Sequence, residues 1–128
     1  MKIRQGFVSN SSSSSFYICG TKVDKSEFPQ LLEKLTGEPY VVPVYKDKLD
    51  ELYGEQDLVN KLKKLVYNTK KLSFLWSDSG YYIGRHVQDM PEDETKKSFR
   101  ESIQKYYEEL FGVEKEFKFG TIHQTTFD

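Results

Sequence analysis

The sequence predicts one α+β domain: a four- to five-stranded sheet, mixed or mostly antiparallel, with three to four helices packed on it. Two patterns carry that expectation. Apolar residues recur at helical spacing in some segments and alternate in others. One pair of alternating segments is joined by a short polar turn of the hairpin kind. The element order that results, β-α-β-α-α-β-β-α-β, mixes helices and strands without internal repeat, as α+β domains do. A length of 128 residues suits a single domain.

Taken in order, Phe16 and Ile18 alternate with Tyr17 and Cys19 as a strand with two covered faces, and Gly20 is expected to end it. Asp24-Lys25-Ser26-Glu27-Phe28-Pro29 reads as a helix start with Pro29 in its first turn, which makes Lys25 or Ser26 the cap. Phe28, Leu31, Leu32 and Leu35 form its apolar face and Gly37 its stop. Tyr40 to Tyr45 is β-rich but flanked and interrupted by Pro39 and Pro43, so it is an edge strand or an extended loop. Lys46 to Tyr53 reads as a short helix ended by Gly54, and Gln56 to Tyr67 as a second one with Leu58, Leu62, Leu65 and Val66 inward.

Leu72 to Trp76, the turn Ser77-Asp78-Ser79-Gly80, and Tyr81 to Val87 make the strongest hairpin signal in the chain. Asp89-Met90-Pro91-Glu92 has the spacing of a capping box with an early proline. The helix it opens would bury Phe99, Ile103, Tyr106, Tyr107 and Leu110 and close at Gly112. A last strand is expected over Lys115 to Ile122, with Phe117 and Phe119 on one face.

Composition narrows the function. Aromatic residues are 15% of the chain and offset a modest apolar fraction of 37%, enough for one core. The formal charge of −1 provides no global field toward nucleic acid, membranes or anions. Lysine outnumbers arginine and alanine is absent, which reads as the coding bias of an AT-rich genome. The single cysteine, Cys19, excludes an intramolecular disulfide framework and suits a reducing compartment. No apolar run approaches the roughly 18 residues that span a bilayer. Lys2 and Arg4 are not followed by the apolar stretch of a signal peptide. The expected location is the cytoplasm, with no membrane partner.

One stretch is not explained by fold-building. Arg4-Gln5-Gly6-Phe7-Val8-Ser9-Asn10-Ser11-Ser12-Ser13-Ser14-Ser15-Phe16 clamps a serine run between aromatic residues. Residues 1–15 are therefore set apart as a Ser-rich leader, a loop anchored at Phe7 and Phe16, ahead of a domain over 16–128. Ser9, Asn10, Ser11, Ser12, Ser13, Ser14 and Ser15 are candidates for wrapping an anion in a nest-like loop. The same hydroxyls suit phosphorylation. The plain alternative is a polar tail.

This leader resembles one found in many small uncharacterised proteins of bacteriophages and bacteria. A second stretch, Tyr82-Ile83-Gly84 followed after a spacer by Met90-Pro91-Glu92-Asp93-Glu94-Thr95 and Phe99, is similar to a segment of such proteins. The resemblance implies a phage or mobile-element origin, and with it a host cytoplasm; it brings no activity, ligand or cofactor.

The chemistry-bearing residues form no catalytic constellation. Cys19 sits within a strand and reads as a small buried residue. His123-Gln124-Thr125 resembles half of the paired His-x-Thr signature of phosphoesterases, but the other histidine reads His86-Val87-Gln88. A loop serine acting as nucleophile would lack a nearby base in sequence. Asp89, Glu92, Asp93 and Glu94 are more simply a complement to a helix dipole than a metal site, and no zinc spacing exists. No cofactor motif is present. Lys61, Lys63, Lys64, Lys70 and Lys71 could follow a phosphate backbone, yet the near-neutral net charge favours a solvated helix face.

What remains is a binding protein rather than an enzyme. The leading expectation is an accessory protein that engages a host protein through exposed aromatic surface near the hairpin, since nine tyrosines exceed what such a core would hide. The alternatives are an anion- or nucleotide-binding module on the serine loop, taking a phosphate-bearing small molecule, and a weak nucleic-acid binder through Lys61 to Lys71.

Overall fold

In the computed structural model, which describes residues 11–127, the elements are β1 (Ser11–Val23), α1 (Phe28–Thr36), α2 (Lys48–Asn68), β2 (Ser73–Ser77), β3 (Gly80–His86), α3 (Lys96–Phe111) and β4 (Lys118–Phe127). The strands form one antiparallel sheet in the order β2-β3-β1-β4. The α+β class is as expected, with four strands and three α-helices.

The register sorts the sheet into two faces. Cys19, Thr21 and Val23 of β1 share a face with Ile83 of β3 and Phe74 of β2. On that face lie all three helices, which contribute Phe28, Leu31 and Leu32 from α1, Val59, Leu62 and Val66 from α2, and Phe99, Ile103, Tyr107 and Phe111 from α3. Leu72 and Phe117, just outside β2 and β4, complete this core. Phe28 meets Phe74 and Tyr81 edge-on at 5.6 and 5.3 Å, and Tyr107 meets Phe117 at 5.5 Å, geometries that aromatic quadrupoles favour.

The other face carries no helix, yet Ile18 and Ile122 on it are buried. The reason is curvature. β2 and β4 are the outer strands, but the Asp78 N–H donates to the His123 carbonyl at 2.8 Å and the Gln124 side-chain amide donates to the Trp76 carbonyl at 2.8 Å. His123 pairs with Ser15, whereas the hairpin turn lies beyond the Val23–Tyr81 pair. In a flat sheet these points would be about 26 Å apart along β1, at the usual rise per residue. The outer half of the β1–β4 ribbon therefore bends back until it reaches β2, and the sheet closes like a small barrel with Ile18 and Ile122 inside. Gly20 and Gly84, directly paired, sit on the concave side. A Cβ at Gly84 would run into the Cys19 carbonyl and the Gly20 Cα, so the tight curl requires a residue without one.

Several boundaries differ from those the sequence suggests. Ser11 to Ser15 are not a loop: they pair with β4 from Phe127 to His123. The partner strand, rich in threonine, decides this against the turn preference of serine. Ser9 and Asn10 lie outside the described residues. β1 continues through Gly20 to Val23, because Gly20 keeps its pairing with Gly84. The segment 39–45 joins no ladder, in keeping with its prolines. A short 3-10 turn, Lys25–Glu27, precedes α1, so its cap is Glu27 rather than Lys25 or Ser26.

The two helices expected around Gly54 are one. Asp47 caps α2 by accepting from the Asp50 N–H at 2.8 Å, and the helix runs through the glycine. A helix-interior glycine costs about 1 kcal/mol relative to alanine. Here the Tyr45 ring occupies the space a side chain would fill: a Cβ at Gly54 would lie 2.6 Å from the Tyr45 hydroxyl. α3 starts later than the Asp89 spacing suggests. Val87–Asp89 is a short 3-10 turn, and Thr95 is the cap, accepting from the Ser98 N–H at 3.1 Å. β4 is displaced toward the C-terminus relative to the expected 115–122, since its pairing with the serines extends it to Phe127. Gly37 and Gly112, both at positive φ, end α1 and α3 as expected.

Candidate functional site

Two surface regions combine residues in a way the fold itself does not need. The first is a cleft of about 650 Å³ between α2 and the β2–β3 hairpin. Its sheet wall is aromatic. Phe74 and Tyr81 stack at 5.6 Å with an interplanar angle of 29°, and Trp76 lies half-buried beside them. Its helix wall is polar, with Gln56, Asn60 and Lys63 from α2. The hairpin tip is held by its own hydroxyls, the Ser77 hydroxyl donating to the Gly80 carbonyl at 3.1 Å and accepting from the Ser79 N–H at 3.2 Å. Asp78, at the same end, accepts from the Thr125 N–H and hydroxyl.

The second is an apolar rim. Val41, Val42, Val44, Leu49, Leu52 and Tyr53 are each more than half exposed, Val44 reaching 96%. Elsewhere among the described residues, exposed large apolar side chains are only Tyr17, Tyr67 and Val113, well separated in the chain. The rim arises because the opening turns of α2 extend past the core: no residue from Lys48 to Leu58 is fully buried, and Val59 is the first that is. Tyr45, lying over Gly54, ties the preceding loop to that projecting part of the helix. Between loop, α1 and α2 is a groove of about 170 Å³ lined by Phe28, Pro29, Tyr40, Val42, Tyr45 and Leu58, with Glu51 and Glu55 beside them. Lys25 pairs with Glu55 at 3.1 Å.

The aromatic residues of the hairpin are thus not the exposed surface expected of them. Trp76, Tyr81 and Tyr82 are all half-buried, and the exposed apolar area has moved to residues 41–53. No sequence signal short of the missing apolar partner for Leu49, Leu52 and Tyr53 marks this; each fits an amphipathic helix face that a larger sheet would cover.

The serines expected to cradle an anion are set out along a strand. Their backbone N–H groups belong to an extended ribbon rather than to a concave nest. The fold does bring Ser15 to a base that is remote in sequence: its hydroxyl lies 2.8 Å from His123 Nδ1. Both are exposed and directly opposite across the ribbon, the usual setting of a stabilising cross-strand pair. Among the described residues no carboxylate orients the imidazole, since Asp78 is engaged by Thr125. The extended strand turns its N–H groups along the sheet rather than as a convergent pair toward a developing oxyanion.

Lys61, Lys63, Lys64, Lys70 and Lys71 do not form one track. Lys63 faces the α2–hairpin cleft, Lys61 faces the loop at Tyr40, and Lys71 lies 4.7 Å over the Tyr106 ring on α3. Cys19 is fully buried, and that burial pushes its thiol pKa up to about 11 against a smaller opposing influence of Arg100, which disfavours the thiolate a nucleophile needs. Tyr107 is likewise pushed up to about 12 by burial, with a further contribution from Glu27. No cluster among the described residues has the makings of a metal site, and no described helix is long and apolar enough to cross a membrane.

Comparison of the chain with models of protein families, with curated proteins and with solved structures found no match.

Proposed function

We propose that this is a small accessory protein, of the phage or bacterial kind its leader resembles, that works by binding another protein, a host factor whose activity it modulates. The observation that carries this reading is the apolar rim, where Val41, Val42, Val44, Leu49, Leu52 and Tyr53 stay exposed within one short stretch. Apolar side chains left this exposed are costly in water, and where they gather they mark interaction sites. Burying a Val or Leu side chain is worth about 1.5–3 kcal/mol, so a partner covering the rim gains substantially before polar contacts are counted.

The partner's chemistry follows from the rim's border. The same stretch of chain carries Asp47, Asp50, Glu51, Glu55 and Asp57 against Lys46, Lys48 and Lys61, with Glu55 paired to Lys25. A partner surface with an apolar centre and lysine or arginine at its edge is complementary. Binding rather than catalysis is favoured because, among the described residues, the Ser15–His123 contact stands without an orienting carboxylate and Cys19 is buried.

The test is affinity capture from host lysate with the tagged protein, beside a Val44→Asp/Leu52→Asp variant. The expected result is a stoichiometric protein retained by the wild type and lost with the variant. Absence of any such protein, or equal retention by both, overturns the reading.

A further inference from the structure

We propose that the cleft between α2 and the hairpin is a binding site for the ring-plus-phosphate chemistry of a nucleotide, with the base against Trp76 and the phosphate met by Lys63. The site is separate from the apolar rim, and its ligand follows from its two walls.

The sheet wall supplies a rigid aromatic surface. Phe74 and Tyr81 are stacked on each other and braced edge-on by Phe28, so neither is free to collapse into the cleft. Trp76, half-buried beside them, keeps part of its indole available to a planar partner. Stacking of a base on such a side chain is worth about 1–3 kcal/mol and tolerates any base.

The helix wall supplies polar groups in a row. Gln56, Asn60 and Lys63 are spaced by four and three residues and so share a face of α2. At the helical rise they extend over about 10 Å, the reach of a base, sugar and phosphate laid end to end. The Gln56 amide donates to the Asn60 carbonyl at 3.2 Å, which leaves the Asn60 amide to donate and the Gln56 carbonyl to accept. Together they offer the mixed donor–acceptor pattern of a base edge.

A phosphate needs a cation to meet it, and Lys63 is the one placed to do so. Lys25, at the cleft margin, is ion-paired with Glu55, and the Asp78 carboxylate, still charged, is turned onto the Thr125 N–H and hydroxyl at the hairpin end. Lys63 has no ion-pair partner among the described residues. An unneutralised ammonium beside an aromatic wall suits a ligand that is flat at one end and negative at the other. The cleft volume of about 650 Å³ is in the range of small-molecule sites.

Trp76 is the only tryptophan in the chain, so its fluorescence reports this cleft alone. The experiment titrates the full chain with AMP, adenosine, inorganic phosphate and a short oligoadenylate, for the wild type and for Lys63→Glu. The expected result is a saturable change with AMP that weakens about tenfold for adenosine and about tenfold in the variant, as for loss of one charge-assisted contact. Tighter binding of the oligoadenylate than of AMP assigns the site to single strands, and equal or weaker binding assigns it to free nucleotides. Trp76→Leu, followed by ligand-induced thermal stabilisation, is expected to lose the response as well. No saturable change with AMP or oligoadenylate up to millimolar concentration, or binding undiminished in Lys63→Glu, overturns the proposal. Lys63 is exposed on α2, so the variant's fold is expected to be intact, with circular dichroism as the check.

Discussion

Asp78 in the hairpin turn holds Thr125 of the last strand through both carboxylate oxygens, accepting from the backbone N–H at 2.9 Å and from the hydroxyl at 2.7 Å. The contact joins the outer strands and, with the Asp78 N–H on the His123 carbonyl, fixes the sheet in its curled form. Charged hydrogen bonds are worth about 1.5–3 kcal/mol where shielded, and exposure here reduces that. Asp78→Ala is expected to cost about 1 kcal/mol in urea unfolding and to speed amide exchange at Thr125 and at position 78 itself. An unchanged midpoint with unchanged exchange would mean that the closure is held elsewhere.

The curl also sets two glycines apart. At Gly84 a side chain would meet the backbone of β1, which cannot step aside, whereas at Gly120 nothing lies within 4 Å of the added Cβ. Gly84→Ala is expected to destabilise by about 3 kcal/mol, the upper part of the range for overpacking. Gly120→Ala is expected to stay within about 0.5 kcal/mol of the wild type. Thermal or urea unfolding of the pair measures this, and equal effects would contradict the curvature described.

Capping of α3 separates Thr95 from Asp89. Thr95→Ala removes the acceptor for the Ser98 N–H and is expected to cost about 1 kcal/mol. Asp89→Ala, outside the helix, is expected to be near neutral. A larger loss at Asp89 in equilibrium unfolding would restore the earlier helix start.

Cys19 and Tyr107 make the fold sensitive to base. Both are neutral in the folded protein and have raised pKa values, Cys19 from 9.0 to about 11 and Tyr107 from 10.0 to about 12, because burial penalises their anions. The unfolded chain therefore loses these protons first. Stability is full below pH 9 and falls as pH rises through 11 and 12. In native protein at pH 8, Cys19 is expected to resist a thiol reagent until the chain is unfolded; prompt labelling without unfolding would show the thiol to be accessible.

The class of fold was legible in the sequence because the core is written locally. Phe99, Ile103 and Tyr107 repeat at helical spacing, and Phe74, Trp76 and Ile83 alternate about a turn of hairpin type. What was not legible depends on partners far away in the chain. Ser11 to Ser15 pair with residues 123–127, more than a hundred positions away, and Gly54 sits inside a helix under the Tyr45 ring. The same holds for the sites. The Ser15–His123 contact comes from the β1–β4 register, and the cleft shared by Gln56, Asn60, Lys63 and Trp76 from the packing of α2 beside the hairpin; no local pattern announces either. The exposure of Leu49 and Leu52 depends on where the sheet ends, again a property of the whole.

The claim on which the functional account rests is that residues 41–53 are a docking surface. Hydrogen exchange of the protein alone and with its captured partner tests it most directly. New protection is expected over the loop at Val41 to Tyr45 and the first turns of α2, lost in Val44→Asp/Leu52→Asp while that variant's own stability is unchanged. Protection confined to other parts of the surface, with the rim exchanging as in the free protein, would contradict it.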